Sequence, residues 1–353
     1  MRGRGIELAS RSPAGKPTIT DVAHRAGVSK SLVSLVVRGG RHVSPARRAA
    51  VLKAAAEMGY RPNAMARGLV ERRTRMIGVM VSDLHNPFFA DVAAGIQDQA
   101  TRAGYRVLIN TGNRNSAQED EAIRALLELR ADGLILAGPL VESRLMVSAS
   151  AEVPVVLVGR SAHAPSLDSV TNDDRAGAEA IVEHCASLGH KRIAHVDGGR
   201  GAGADARRRG YEEGMRRFRL AKHLCVVPGS YTEEGGHSGA LLILEMRPRP
   251  TAVFVANDLA AIGALNALEE RGLRVPDDIS LVGYDNTSLA ALRHIFLTTV
   301  HQPRLEMGQL AVSTLLERLE EGRRRPRRAV LSPSLVVRRT TAPPPPQRKE
   351  DRS

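Results

Sequence analysis

The chain has 353 residues, 42% of them hydrophobic, and a formal net charge of +13, which leaves room for a small head and one or two larger domains with real cores. No apolar run reaches the roughly 18 residues of a membrane helix, and the polar, arginine-rich N-terminus lacks the apolar core of a signal peptide, so a cytoplasmic protein without a membrane partner is expected. Cys185 and Cys225 have no metal-like spacing and read as small hydrophobes, while an aromatic content of 3% argues against a stacking platform for single-stranded nucleic acid.

Residues 1–16 read as a disordered basic arm. Thr18 then caps a first helix, with Asp21 placed for a capping box and Ile19, Val22, Ala23 and Ala26 on one apolar stripe. Gly27 stops it. Ser29 caps a second helix whose Val33, Val36 and Val37 face inward, leaving Lys30, Ser31, Ser34 and Arg38 outside. Ser44-Pro45 opens a third with a cap and a first-turn proline, and Val51, Leu52, Ala55 and Met58 run along it to Gly59-Tyr60. The tight turn at Ala26-Gly27-Val28 makes this a helix-turn-helix head.

Charge supports the same division. Residues 1–75 carry 16 Lys+Arg against 4 Asp+Glu, and residues 323–353 carry 10 against 2, so the middle is net acidic. The polyanion-binding surface is therefore expected in the head.

From Met76 the pattern changes to short apolar runs at 76–81, 105–109, 133–136 and 153–158, separated by helical segments near 89–103 and 117–130. It restarts with runs at 192–196, 224–227, 252–255 and 279–282, between helices near 176–188, 206–217, 235–245 and 259–272. Runs of this doubly buried type, alternating with helices, predict two α/β lobes with parallel sheets and helices on both faces. Ligands in such sheets sit at the carboxyl ends of the strands. The loops there offer Phe88-Phe89, Gly159-Arg160, Asp197 with Arg207 beyond it, Tyr231, Asn257-Asp258 and Asp285, a mix suited to a small polar ligand. Taken singly, Asp197, Asp258 and Asp285 are each expected to cap the following helix. Arg207→Ala is expected to spare the fold and the head's binding to polyanions while abolishing any ligand response.

A catalytic census finds little. Gly199-Arg200-Gly201-Ala202-Gly203 is a weak dinucleotide signal without the acidic residue that would follow. No phosphate loop, nucleophile elbow or metal cluster stands out, and His163, His184, His190, His195 and His237 read as surface or satisfied core histidines. No enzyme, cofactor or metal is expected.

Ile19-Thr20-Asp21-Val22-Ala23, Ala26-Gly27-Val28-Ser29, Val43-Ser44, Gly59-Tyr60-Arg61-Pro62-Asn63 and Ala66-Arg67 resemble the lactose/galactose repressor family of bacterial transcription regulators. The likeness continues through Asn86-Pro87-Phe88-Phe89, Leu188-Gly189-His190, Asn257-Asp258, Val282-Gly283-Tyr284-Asp285-Asn286, Leu297-Thr298-Thr299-Val300 and Gln302-Pro303. It implies a dimeric or higher-order repressor of a palindromic double-stranded operator, with a periplasmic-binding-protein-like core that answers to a sugar or sugar derivative. The implied division is a helix-turn-helix domain at 17–61, a hinge helix and linker at 62–75, and a core at 76–341, followed by a disordered tail at 342–353. Lobe 1 takes about 76–171 and 304–331, and lobe 2 about 172–303 and 332–341.

By the same resemblance Lys30, Ser31 and Leu35 read bases, while Ser34, Arg38, His42, Ser44, Arg47, Tyr60 and Asn63 lie near phosphates; Thr18 belongs to the same DNA-binding set. Ala66 and Leu69 of the hinge helix face the minor groove. Leu32 stands where the family usually has Thr, and Leu35 where many members have Arg; an apolar side chain there suits a thymine methyl. The implied effector residues are Phe88, Phe89, Arg160, Arg207, Tyr231, Asn257 and Asp285, and Gly159 replaces an Asp common in sugar-binding members.

Overall fold

Val22, Ala23, Val33, Val36, Val51 and Ala54 point inward from three short helices, Ile19–Arg25, Lys30–Val37 and Pro45–Glu57, and form the buried core of the head. Each fully buried valine contributes about 1.5–3 kcal/mol, the main favourable term in so small a unit. The computed structural model describes residues 17–37, 40, 42–60, 73–161 and 163–346, and the chain divides into one unit through Thr74 and another from Arg75. Arg38, Asn63, Ala66 and Leu69 lie outside the described residues, as do the arm at 1–16 and most of the hinge.

The first helix start closes a full capping box. Thr18 N donates to Asp21 Oδ2 at 2.8 Å and Asp21 N donates to Thr18 Oγ1 at 3.4 Å, while the bonds from Thr18 N and Oγ1 hold the Asp21 carboxyl below its ordinary range. Ser29 Oγ accepts from Leu32 N at 3.2 Å, and Gly27, at φ 65°, makes the left-handed turn between the two helices. Two expectations fail in the third helix. Ser44 occupies the N-cap position without a side-chain cap bond, and Leu52 is 53% exposed. The stripe running three and four residues on from Val51 passes through Ala54, Ala55 and Met58, and Leu52 falls one residue off it.

Beyond Arg75 the strands are β1 (Met76–Val81), β2 (Arg106–Thr111), β3 (Gly133–Ala137), β4 (Val155–Val158), β5 (Leu167–Asn172) and β6 (Ile193–Val196). They continue with β7 (Val226–Val227), β8 (Ala252–Val255), β9 (Ser280–Val282), β10 (Thr299–His301), β11 (Arg328–Leu331) and β12 (Ser334–Val336). The first lobe is a parallel sheet in the order β11-β5-β4-β3-β1-β2, the second a parallel sheet in the order β7-β6-β8-β9, and β10 pairs antiparallel with β12.

Each sheet is covered on both faces. In β1, Ile77, Val79 and Val81 pack toward the helices Pro87–Arg102 and Arg304–Leu319, while Met80 packs on the other side with Ile123 and Leu126 of Ser116–Glu128. That alternation is the pleat expressed in packing. A Cβ on Gly95 would run into the Leu305 carbonyl, so glycine is what lets those two helices touch backbone to backbone. In the second lobe the helices Asp174–Ser187 and Ala204–Arg217 cover one face, and Glu233–Glu245 and Asp258–Glu270 the other.

The run at 224–227 shortens to Val226–Val227. β5, not anticipated, hides behind a polar sequence: Asp168 is fully buried and accepts from Arg318 and Arg323. The ordered chain also extends past Thr341. His190 Nε2 lies 2.8 Å from the Ala342 carbonyl, and Ser280 Oγ donates to it at 3.1 Å, so residues 342–346 do not belong with a disordered tail.

Candidate functional site

On the head, burying Val33 and Val36 turns the rest of the Lys30–Val37 helix outward: Lys30 and Ser31 are exposed and Leu35 is 38% exposed. His42, Ser44 and Arg47 are exposed as well, Ser34 is half-buried, and Tyr60 packs partly against the head core. Thr18 is exposed, although its hydroxyl is already bonded to Asp21 at 2.7 Å. The result is a polar helix face carrying Lys30, with Leu35 as its exposed apolar side chain.

In the core, the carboxyl ends of both parallel sheets open on one cleft of about 410 Å³. Asn86, just after β1, accepts from Phe88 N at 3.0 Å and so plants Phe88 and Phe89 in the first turn of the following helix. Their rings meet edge to face, 5.2 Å apart, and line the cleft. Tyr231, after β7, supplies a further ring. It lies where Cβ atoms on Gly198 and Gly201 would stand, and its hydroxyl donates to the Ala202 carbonyl at 2.9 Å. The glycine run once weighed as a dinucleotide loop is thus the bed for this tyrosine.

The polar end is organised by Arg207, only 5% exposed. Its Nε donates to Asp174 Oδ1 at 2.9 Å, its Nη1 to the Ala256 carbonyl, and Asp285 Oδ1 lies 3.7 Å from Nη1. The guanidinium sits 3.8 Å over the Tyr284 ring and 5.2 Å from that of Tyr231. Among the described residues no acceptor takes its Nη2. Burial works against the guanidinium's charge, but the Asp174 and Asp285 carboxylates outweigh it and keep Arg207 protonated. Burial pushes both carboxyls up, Arg207 opposing in each case, with Asp258 adding to the rise at Asp285. Gln302 Nε2 donates to Asp285 Oδ1 at 2.6 Å and fixes that side chain at the cleft wall.

None of the three strand-end aspartates caps a helix. Asn257 does so in place of Asp258, accepting from Ala260 N at 2.8 Å, and its Nδ2 donates to the Tyr231 carbonyl at 3.3 Å. Asp258 accepts from Thr287 N at 2.6 Å and from Thr299 Oγ1 at 2.6 Å, while Asp197 accepts from Gly199 N and Gly229 N at 3.0 and 3.1 Å. Asp197 and Asp258 thus satisfy backbone N–H groups of the loops around them, while Asp285 is held by side chains. His195 is a core histidine, stacked on Phe254 at 4.3 Å and lowered by burial to about 4.

Residues 18–63 match the family model of bacterial regulatory proteins, lacI family, and residues 182–341 match a periplasmic binding protein-like domain. The HTH-type transcriptional repressor PurR of Vibrio atlanticus is 36% identical over 324 residues, covering 90% of this chain and 97% of that protein. The chain belongs to the lacI family. The solved lac repressor dimer bound to operator and the anti-inducer ONPF is 32% identical, covers 93% of this chain and all of that one, and superimposes with a TM-score of 0.83. The transcriptional regulator CelR in its cellobiose complex is 31% identical over 92% of this chain and 99% of its own, with a TM-score of 0.68. As a lacI-family member the chain is a DNA-binding transcriptional regulator with an effector-binding core.

Within this lacI-family core Phe88, Phe89, Arg207, Tyr231, Asn257 and Asp285 converge on the cleft. Arg160 does not join them. Its Nη1 donates to the Pro139 and Val141 carbonyls at 2.8 and 2.9 Å, which holds the side chain against backbone beside the cleft, where it lines an adjoining cavity. Asp174, Gln302, Asp83 and Arg114 also line the cleft, and none of them is among the effector residues expected from the sequence. For Asp174 and Gln302 the missing signal was structural, since each follows a strand that polar residues disguise.

Proposed function

We propose that this protein represses transcription by binding a palindromic operator as a dimer, and that a sugar or sugar derivative entering the core cleft controls that binding. The cleft carries the reading: aromatic rings line it, and a buried arginine with a spare donor sits beside carboxylates that can accept hydroxyls. The cellobiose complex of CelR supports the ligand class, and the operator complex of the lac repressor dimer supports the assembly. Asn257 contributes by holding Tyr231, and Arg160 by tying together loops beside the cleft.

In this reading Lys30, Ser31 and Leu35 face the bases, and Ser34, His42, Ser44, Arg47 and Tyr60 lie toward phosphates with Arg38 and Asn63. Asn63–Leu69, far shorter than the about 12–15 residues at which an isolated helix becomes marginal, forms its helix only when paired with its dimer mate on DNA. Ala66 and Leu69 then face the minor groove, where a leucine wedge offsets its unstacking cost through a bent operator. The protein works in the cytoplasm and is not an enzyme; the relatives it matches are regulators.

A thermal-shift screen of sugars and polyols tests the ligand. One compound should stabilise the protein, by about 2.7 kcal/mol at a hundredfold excess over its Kd, and should change operator affinity about 5- to 150-fold. A stabilising compound without effect on operator affinity would remove the control role. Readout is tested separately. Leu35→Arg should change the base preferred in each half-site, since arginine pairs with guanine where leucine meets a thymine methyl, and should leave general DNA affinity in place. Identical preferences in a binding-site selection would mean that Leu35 does not face the bases.

A further inference from the structure

The second lobe carries another cavity, of about 620 Å³, at the amino ends of its strands and therefore on the side away from the cleft. Lys191 and Arg192 line it just before β6, and Arg247 and Arg249 just before β8. Among the described residues none of the four is paired with a carboxylate. The one acid in the lining, Asp278, is taken by Arg274, whose Nε lies 3.0 Å away. Two of the arginines are held in place by backbone carbonyls: Arg192 Nε donates to the Arg249 carbonyl at 2.8 Å, and Arg247 Nη1 to those of Leu244 and Met246 at 3.0 and 2.8 Å. The Nε of Arg249 is buried and, among the described residues, has no acceptor.

Four cations around one cavity, whose one acid, Asp278, is already paired with Arg274, repel one another. An arrangement that holds two of them by backbone bonds retains that cost in the empty state. An anion of several charges relieves it, and fork-shaped guanidinium groups match phosphate oxygens two at a time. A single carboxylate would leave most of the charge uncompensated. Leu273 and the prolines at 344–346 add an apolar wall large enough to take a ring. We propose that this cavity binds a short polyphosphate, carried by a nucleotide or as an inorganic chain, at a site separate from the effector cleft.

The basic head will also attract polyanions, so the test must localise binding. Hydrogen exchange, read peptide by peptide on the full chain, should show protection at 189–195 and 247–254 when tripolyphosphate or ADP is added at 0.05–0.15 M salt, an ionic strength at which exposed charges are substantially screened. A lower half-saturating concentration for ADP assigns the site to nucleotides, and a lower one for tripolyphosphate assigns it to inorganic chains. Arg247→Gln should raise that concentration at least about tenfold, the scale of one hydrogen bond to a charged group. Lys191→Gln, at an exposed position remote from the core, gives the same readout should the arginine variant fold poorly. Protection confined to residues 18–60, absent at millimolar ligand, or unchanged in both variants overturns the proposal.

Discussion

Arg207→Ala should lower the unfolding free energy by about 3–5 kcal/mol and abolish the response to effector, because it removes one partner from a buried ion pair and leaves the other charge uncompensated. Asp174 would then lose the cation bonded to its carboxylate, Asp285 would keep only Arg304, which donates to its backbone carbonyl, and Tyr284 would lose the guanidinium on its ring. The sequence alone suggests that losing Arg207 spares the fold; its 5% exposure and its bond to Asp174 argue against so mild an outcome. The sign of the pH effect follows from the carboxyls. Both are already held above their ordinary values, so the protonated form is favoured in the folded state; that contribution is present at low pH and lost as pH rises through the folded values. Removing the cation raises them further, so the deficit of the variant should widen between about pH 5 and pH 8 and shrink on acidification. Chemical unfolding at several pH values, beside calorimetric titration of effector, measures both. A variant that unfolds like the wild type at every pH would refute the buried-pair argument, and undiminished effector affinity would place Arg207 outside the binding contacts. Arg207→Lys separates the two roles: it keeps the charge, hence part of the stability, but loses the planar fork and with it the donor left over for ligand.

Legibility of this chain followed how far local chemistry agreed with tertiary placement. Caps and stripes disclosed the head because Thr18, Ser29, Val33 and Val36 each do in the fold what their spacing implies. The doubly buried strands were equally plain, since runs such as Met76–Val81 have nothing polar to obscure them. β5 was hidden because its Asp168, normally a surface signal, is neutralised by arginines 150 and 155 residues later in the chain. That omission propagated. Without the strand there was no strand end, and Asp174, the direct partner of Arg207, went unassigned. Arg160 shows the opposite failure, since position at a strand end placed it correctly in the topology while its side chain turned to backbone carbonyls.

The largest effect should come from removing the head. A chain beginning at Met76 is expected to lose specific operator binding altogether, since the exposed face of Lys30, Ser31, Leu35 and Arg47 belongs to a unit with its own core and the remainder through residue 322 is net acidic. For the full chain, affinity should fall steeply with salt. Each phosphate neutralised releases counterions with a slope of about −0.9 in log K against log salt, so a dimer making about 6–10 such contacts loses about 10³–10⁵ in affinity between 50 and 200 mM. Arg47→Gln should reduce the slope by about two per dimer, one contact from each head, and weaken all sequences alike, because a phosphate contact carries no sequence information. Operator titrations over a range of salt distinguish that from Leu35→Arg, which should alter preference at nearly constant slope. Specific binding of a palindrome by the chain lacking the head would sink the assignment, and a salt slope near zero in the full chain would show that the basic face is not what meets the DNA.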